Sequence, residues 1–519
     1  MQTNFTQGIA SRSSHAILSK LPESCRAVAL AACFCGTLVS PEDGVAGDPP
    51  LHSTDSSVVH DQDELELRRR AMAAALIATR FLVEDVSTQG GYLWRYSSDL
   101  SLREGEGRVA TQTVWVQPPG TPTVGEAFVN LFRVTKEPAF RDAALEVADV
   151  LRRGQMQSGG WQGSVELEPE RSRKWAYRIH HKQSRKAKDQ SSLDDDKTQS
   201  AIRFFVSLDE ALEFKNAMVH EVAMYALDSL LNHGQLPNGG FPQVWGQPEM
   251  RAQAAAVARD LHATFPQEWS REYEGHRNYW YRFTLNDNLA EDVVQTLARA
   301  YQAYGDVKYM EAIRRTGDFL LLAQLPEPQP AWAQQYSFQM QPIWARKFEP
   351  PAITGSESQS VLRTLLRIYD LTGDRKYLKP IPVALDYLET SLLSDGRLAR
   401  FYELQTNRPL YFTKDYRLTY SDEDVPTHYA FKIKSNLTTI RLSYQAAFER
   451  DDEPNDANDG FRASKIPSEK QIEKVLESQK PSGAWHSLGG LKYHQYEGEI
   501  IDMRHMVEQM NLIARFLSN

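Results

Sequence analysis

Apolar residues recur at helical spacing over most of this chain. Phe140, Ala143, Ala144, Val147, Val150 and Leu151 fall at i, i+3, i+4 and i+7, and Val361, Leu362, Leu365, Leu366 and Tyr369 repeat the pattern. Such stripes mark helices that bury one face and expose the other. Strand-like alternation is scarce, with one short hairpin expected near Leu398–Leu418. The helices come in pairs. Thr135–Phe140, Tyr304–Tyr309 and Thr372–Tyr377 each separate two amphipathic stretches, and Gly305 and Gly373 suit the left-handed residue that follows a helix end. A second element closes the following helix: Gln157–Trp161, Gln235–Phe241 and Gln479–Trp485, each a glycine-containing turn ending in an aromatic. Repeated hairpins with a shared closing turn predict an all-α protein, an α/α barrel (toroid) with few short strands, its turns gathered at one mouth.

Charge and composition narrow the function. The 519 residues are 41% hydrophobic and 24% charged, ordinary for a globular chain with a large core. A net charge of -9 opposes general nucleic-acid binding, which needs a basic footprint. An anionic ligand is still allowed, because local arginines can dominate a cleft. No apolar run is long enough to span a membrane, and a monomer is expected.

The first 46 residues read as a signal peptide. Arg12, Lys20 and Arg26 precede an apolar run from Ala27 to Val39, and Val45-Ala46-Gly47 offers small residues for cleavage. That reading places the mature chain in a secreted or periplasmic setting. All three cysteines, Cys25, Cys33 and Cys35, lie in this leader. A linker at 47–62 and a barrel domain at 63–519 follow, with a flexible acidic linker at 450–468 inside the domain.

Candidate chemistry lies between the helices. Asn286-Asp287-Asn288 precedes a helix and suits N-capping, yet Asn286 and Asp287 are also hard oxygen ligands of the kind calcium takes. One carboxylate is a poor site alone, so a ligand's own carboxylates would complete the shell. Ser192–Gln199, with Asp194, Asp195 and Asp196, is a second acidic turn before a helix and reads as a solvated cap; the charged run 171–196 ahead of it is a candidate lid. Gln243, Trp332 and Gln335 offer amides and a ring face of the kind that holds a sugar. Arg346, Glu357, Arg400, Arg408 and Lys414 supply charge, and arginines bind carboxylates bidentately.

Taken in order from Gly91 to Phe431, these segments resemble the pectic acid (pectate) lyases of polysaccharide lyase family 10. The likeness runs through Gly159–Ser164, Ala176–Arg178, Leu193–Gln199, Asn238–Gln243, Asn286–Asn288, Trp332–Tyr336, Ala345-Arg346 with Glu349, Glu357-Ser358 and Arg400–Leu404 with Asn407–Pro409. The resemblance implies an α/α barrel that cleaves polygalacturonate with Ca2+ by β-elimination. Asp287 would hold the ion in part, and an arginine would remove the C5 proton: Arg408 first, then Arg400 or Arg346. Three positions depart from the family pattern. Ser337 stands where an aspartate is expected, Lys414-Asp415-Tyr416 replaces Arg-Asp-Gly, and His428–Lys434 replaces a paired-arginine segment. Two other readings fit the same residues: a glycoside hydrolase using Asp287 and Glu357 as acid and base, or an inactive uronan-binding module.

Overall fold

A computed structural model describes residues 56–179, 184–246, 248–256, 260–275, 278–450 and 465–518. The expected signal peptide, most of the 47–62 linker and residues 451–464 of the acidic linker lie outside them. Two compact units divide at Val58/Val59, and the ring belongs to the second, Val59–Asn519.

Its helices alternate between an outer and an inner layer. The outer helices are α1 (Ser56–Phe81), α3 (Pro138–Gly154), α5 (Ala217–Ser229), α7 (Val307–Ala323), α9 (Ile381–Thr390) and α11 (Glu469–Ser478). Between them run the inner helices α2 (Thr121–Thr135), α4 (Lys197–Ala211), α6 (Leu289–Tyr304), α8 (Gly355–Thr372), α10 (Leu437–Phe448) and α12 (Met503–Leu517). Inner helices α2, α4, α6 and α8 pack side by side in order, α10 lies against α8, and α12 returns to α2. This is an α/α toroid, as the hydrophobic periodicity predicts. None of the described helices is long and apolar enough to cross a membrane.

Local sequence sets each corner. The inner helices α2, α6 and α8 end in a left-handed residue, Lys136, Gly305 and Gly373, whose N–H returns to Phe132, Tyr301 and Tyr369. At the other end, the strand entering an inner helix pairs with the strand leaving the next outer helix. Thr113–Trp115 meets Ser164–Glu166, Ser191-Ser192 meets Val244-Trp245, and Phe283-Thr284 meets Gln335-Tyr336. Ala352–Thr354 meets Phe401–Glu403, which continues into the expected hairpin through Pro409–Phe412 and Leu418-Thr419. The last such pair joins the two ends of the ring, Tyr496–Asp502 with Arg95–Ser97.

At three corners one glutamine ties neighbouring hairpins together. The Gln155 amide donates to its own turn at Gly159 (2.9 Å) and to Val222 of α5 (3.3 Å). Gln235 repeats this with Gly239 and Ala312, and Gln479 with Gly483 and Ala74. The structural equivalent in the first motif is therefore Gln155, not Gln157. The aromatics of these turns face inward: Trp161 and Trp485 are buried, each indole N–H bonded to a carbonyl of the preceding outer helix, Leu151 and Val475.

Candidate active site at the mouth

Because every inner helix enters from this end, their N-termini converge on the mouth, and their dipoles favour negative charge there. The turns before α4 and α6 have one conformation. Asp195 (φ 48°, ψ 42°) and Asp196 (φ 60°) match Asp287 (φ 50°, ψ 42°) and Asn288 (φ 59°). Paired left-handed residues without glycine are strained, and Asp and Asn tolerate them best. The turns bring Asp194, Asp195 and Asp287 together, with one carboxylate oxygen from each lying within 4.8 Å of the others.

Hydrogen bonds fix the cluster. Gln117 donates to Asp195 (3.0 Å), Gln243 donates to Asp194, and Asn286 donates to Asp287. Lys197 sits 2.7 Å from Asp194 and 3.7 Å from Asp195. Burial, then the charges of Asp195, Asp194 and Glu357, push the Asp287 carboxyl up to about 7 against the pull of Arg346. Burial and Asp194 likewise raise Asp195.

An arginine arc faces these acids. Arg346 grips Glu349 through Nε (2.8 Å) and Nη2. Burial works against its charge, but Glu349 outweighs burial and holds Arg346 above the ordinary arginine range. Arg400 reaches Glu357 at 3.6 Å through one nitrogen and donates to the Tyr429 hydroxyl (3.0 Å). That hydroxyl in turn donates to Glu349 (3.0 Å). Burial opposes the Arg400 charge as well, while Glu357, Tyr429 and Asp287 restore it and leave the group raised.

The sequence candidates separate into those at the mouth and those away from it. Asp287, Asn286, Gln243, Arg346, Arg400 and Glu357 converge. Trp332 and Gln335 are in place but turned inward: Trp332 is 0% exposed with its indole N–H on Leu320, and Gln335 is 2% exposed and donates to Tyr279. Neither presents a surface to a sugar. Glu357 is 3% exposed beneath Arg400, which makes it a counter-ion to that arginine and not a contact for substrate. Lys414 is exposed in the turn between Pro409–Phe412 and Leu418-Thr419 and pairs with Asp424 (3.0 Å).

Arg408 is also displaced. It sits opposite Glu403 at the far end of the hairpin from Arg400, about 10 Å along the strand. The turn there is pinned over the outer helix α9 by Asn407, which bonds Tyr387 and Ser391. Arg408 stacks 3.4 Å over Tyr420, whose hydroxyl meets Glu403. The expectation that Arg408 joins Asp287 is not met.

Asp194 and Asp195, which read as a solvated cap within a segment of the family resemblance, join Asp287 at the mouth. They bring the carboxylates that Ser337 does not; the Ser337 hydroxyl instead accepts N–H bonds from Gln339 and Gln341 in its own turn. The signal in the sequence was the repeat itself, Leu193-Asp-Asp-Asp196 beside Leu285-Asn-Asp-Asn288.

Solved structures with similar helix arrangements include several sugar-acting enzymes. A family 10 polysaccharide lyase from Cellvibrio cellulosa, solved as a mutant with trigalacturonic acid, is 18% identical; the match covers 63% of this chain and 98% of that one, with a TM-score of 0.42. A glycoside hydrolase family 76 mannosidase from Bacteroides thetaiotaomicron is 13% identical over 87% of this chain and 98% of its own, with a TM-score of 0.38. A type II terpene cyclase from Scytonema is 14% identical over 88% and 98%, with a TM-score of 0.31. No family model and no curated protein matches the sequence. At these identities and scores the architecture rests on its own helix and strand pairings, and the chemistry on its own residues.

Proposed function

We propose that this chain processes an acidic polysaccharide at the mouth of the ring, cleaving a polygalacturonate-like uronan by cation-assisted β-elimination. The observation that carries the reading is the facing of three convergent carboxylates, Asp194, Asp195 and Asp287, by two arginines, Arg346 and Arg400.

The residues fit a calcium ion. Asp and Asn oxygens are its preferred donors, and the buried Asn286 Oδ1 beside Asp287 has no partner among the described residues. Asp287 is raised first by burial and then by the charges of Asp195 and Asp194, and a cation would relieve that repulsion. Asp194, Asp195 and Asp287 would hold the ion, with Asn286 beside them. When bound, such an ion withdraws electrons from a uronate carboxylate and acidifies the adjacent C5 proton.

The protein's own groups do the rest. Arg346, committed to Glu349 on one edge, binds and orients a uronate carboxylate. Arg400 meets its counter-ion at a single, longer contact, so it is the arginine assigned to take the C5 proton. The C5–H electrons form the C4–C5 double bond, the C4–O bond breaks, and the departing oxygen takes a proton from solvent. Arginine abstracts protons only as the neutral guanidine. The acids that hold Arg400 charged must therefore be countered by cation and substrate before it can act.

A second reading has one specific support: a carboxyl near 7, such as Asp287, is tuned to act as the general acid of a glycosidase. Purified protein incubated with polygalacturonate and calcium separates the two. Ultraviolet-absorbing unsaturated product that vanishes with chelator supports elimination, and new reducing ends without that absorbance point to hydrolysis. Binding with neither leaves a uronan-binding module.

A further inference from the structure

Beneath the mouth, inner helices α2, α4, α6, α8 and α12 line an open cavity of about 780 Å3. It begins at Pro118, next to the Gln117 that bonds Asp195, and descends α4 from Asp196 to Ser207, roughly 16 Å at the helical rise. Its wall carries polar side chains among apolar surface: Asn130 of α2 bonds Asn511 of α12 (3.1 Å), and Gln295 and Gln302 stand on α6.

Four arginines line it: Arg203, Arg299, Arg367 and Arg515. Two are satisfied. Arg203 pairs with Asp196 and donates to Thr296 (2.8 Å), and Arg299 pairs with Glu210. Of the acids in the wall, Glu291 is matched by Arg363 (2.9 Å) and Glu126 has a contact of its own. Arg367 and Arg515 are different. Among the described residues neither guanidinium makes an ion pair or hydrogen bond with protein, and the Nε–H of Arg515 is buried without an acceptor. The charge nearest Arg367 along its helix, Asp370, is held by Arg450. Leaving the buried Arg515 Nε–H without an acceptor is costly, and a ligand that supplies oxygens and negative charge removes that cost.

We propose that Arg367 and Arg515 form an oxyanion site inside the ring, separate from the carboxylate cluster at the mouth. Its ligand is a small anion with two or more oxygens on one centre, either free inorganic phosphate or the carboxylate of a small acid. A long polymer cannot lie within its depth.

Inorganic phosphate is the first probe, titrated calorimetrically into the full-length protein at fixed ionic strength. Galacturonate is then added to test for competition. Phosphate should bind, and Arg367→Gln with Arg515→Gln should weaken it by about tenfold or more, as loss of a charge-assisted contact does. Asp287→Asn at the mouth should leave it unchanged. Displacement by galacturonate identifies a carboxylate as an accepted ligand, and failure to displace restricts the site to phosphate-like anions. In the unaltered protein, phosphate should slow amide exchange in α8 and α12, a readout that stands even if the double variant does not fold. Absence of phosphate binding, binding untouched by the double variant, or protection confined to the mouth would overturn the proposal.

Discussion

Asp195 and Asp287 are the same position in two successive repeats. Each follows a leucine and an Asx residue, each adopts left-handed backbone within 2° in φ of the other, and each opens an inner helix. The neighbouring-repeat geometry turns a local capping motif into a pair of converging carboxylates. Burial of Asp287, with the charge of Asp195 beside it, has a measurable consequence.

In chelator-treated protein, stability should fall as pH rises. Asp287 titrates at about 7 in the fold against an ordinary value of 3.8, so its contribution is full below the lower value and lost as pH passes the upper one. Thermal unfolding should show the metal-free protein weaker at pH 8 than at pH 5, with about 1–2 kcal/mol traceable to this half-buried group after solvent screening. Asp287→Asn should flatten that part of the profile, and calcium should restore the unaltered protein but not the variant. A metal-free profile that is equally steep in both proteins would refute the assignment.

The three arginines should give three different kinetic signatures. Arg400→Ala should lower kcat by about 100-fold or more, as loss of a proton acceptor does. Arg346→Ala should chiefly raise KM, since its role is carboxylate binding. Arg408→Ala, on the hairpin end over α9, should stay within about threefold of the unaltered enzyme on short oligouronides. Equal losses for Arg408 and Arg400 would reverse the order derived from the fold.

Elimination should accelerate toward alkaline pH. Glu357, Tyr429 and Asp287 hold Arg400 above the usual arginine range, so the neutral form grows only as protons become scarce. A rate profile at saturating calcium that peaks on the acid side would remove Arg400 as base and favour the hydrolase reading.

The corner turns should be intolerant of small changes. Gly239 has φ +94°, and a Cβ there would run into the Arg315 carbonyl oxygen. Gly239→Ala should cost about 3 kcal/mol or more, combining backbone strain with that clash. Gln235→Ala removes donors to Gly239, Ala312 and Thr316 as well as the acceptor of Arg315, and should cost about 2–3 kcal/mol. Denaturant titration of the two variants measures both effects.

The fold was legible because its period is local. Apolar stripes, left-handed helix ends and the shared turn each occupy a few consecutive residues, and their repetition announced the ring. Trp332 and Gln335 misled for the same reason. A Trp-Ala-Gln-Gln-Tyr string looks alike whether its rings face a ligand or the core, and only the bond from the Trp332 indole to Leu320 shows which. Asp194 and Asp195 stand in the sequence as an acidic cap and not as metal ligands because a cap and a ligand use the same residue types. Which one they are depends on a turn some ninety residues later in the chain. Arg408 was misplaced because hairpin register, not motif order, decides which end of a strand pair overhangs the mouth.

The joint between Arg95–Ser97 and Tyr496–Asp502 carries a consequence for biogenesis. The strand that completes the circle is synthesised long after its partner Arg95–Ser97, and α12, which follows it, packs against α2. Until Tyr496–Asp502 has emerged the growing protein is an open arc with an unsealed seam, and deletion of that strand would leave it so permanently. The same joint holds the two ends of the ring side by side. A chain rejoined there and cut at another corner could trace the same circle from a new starting point.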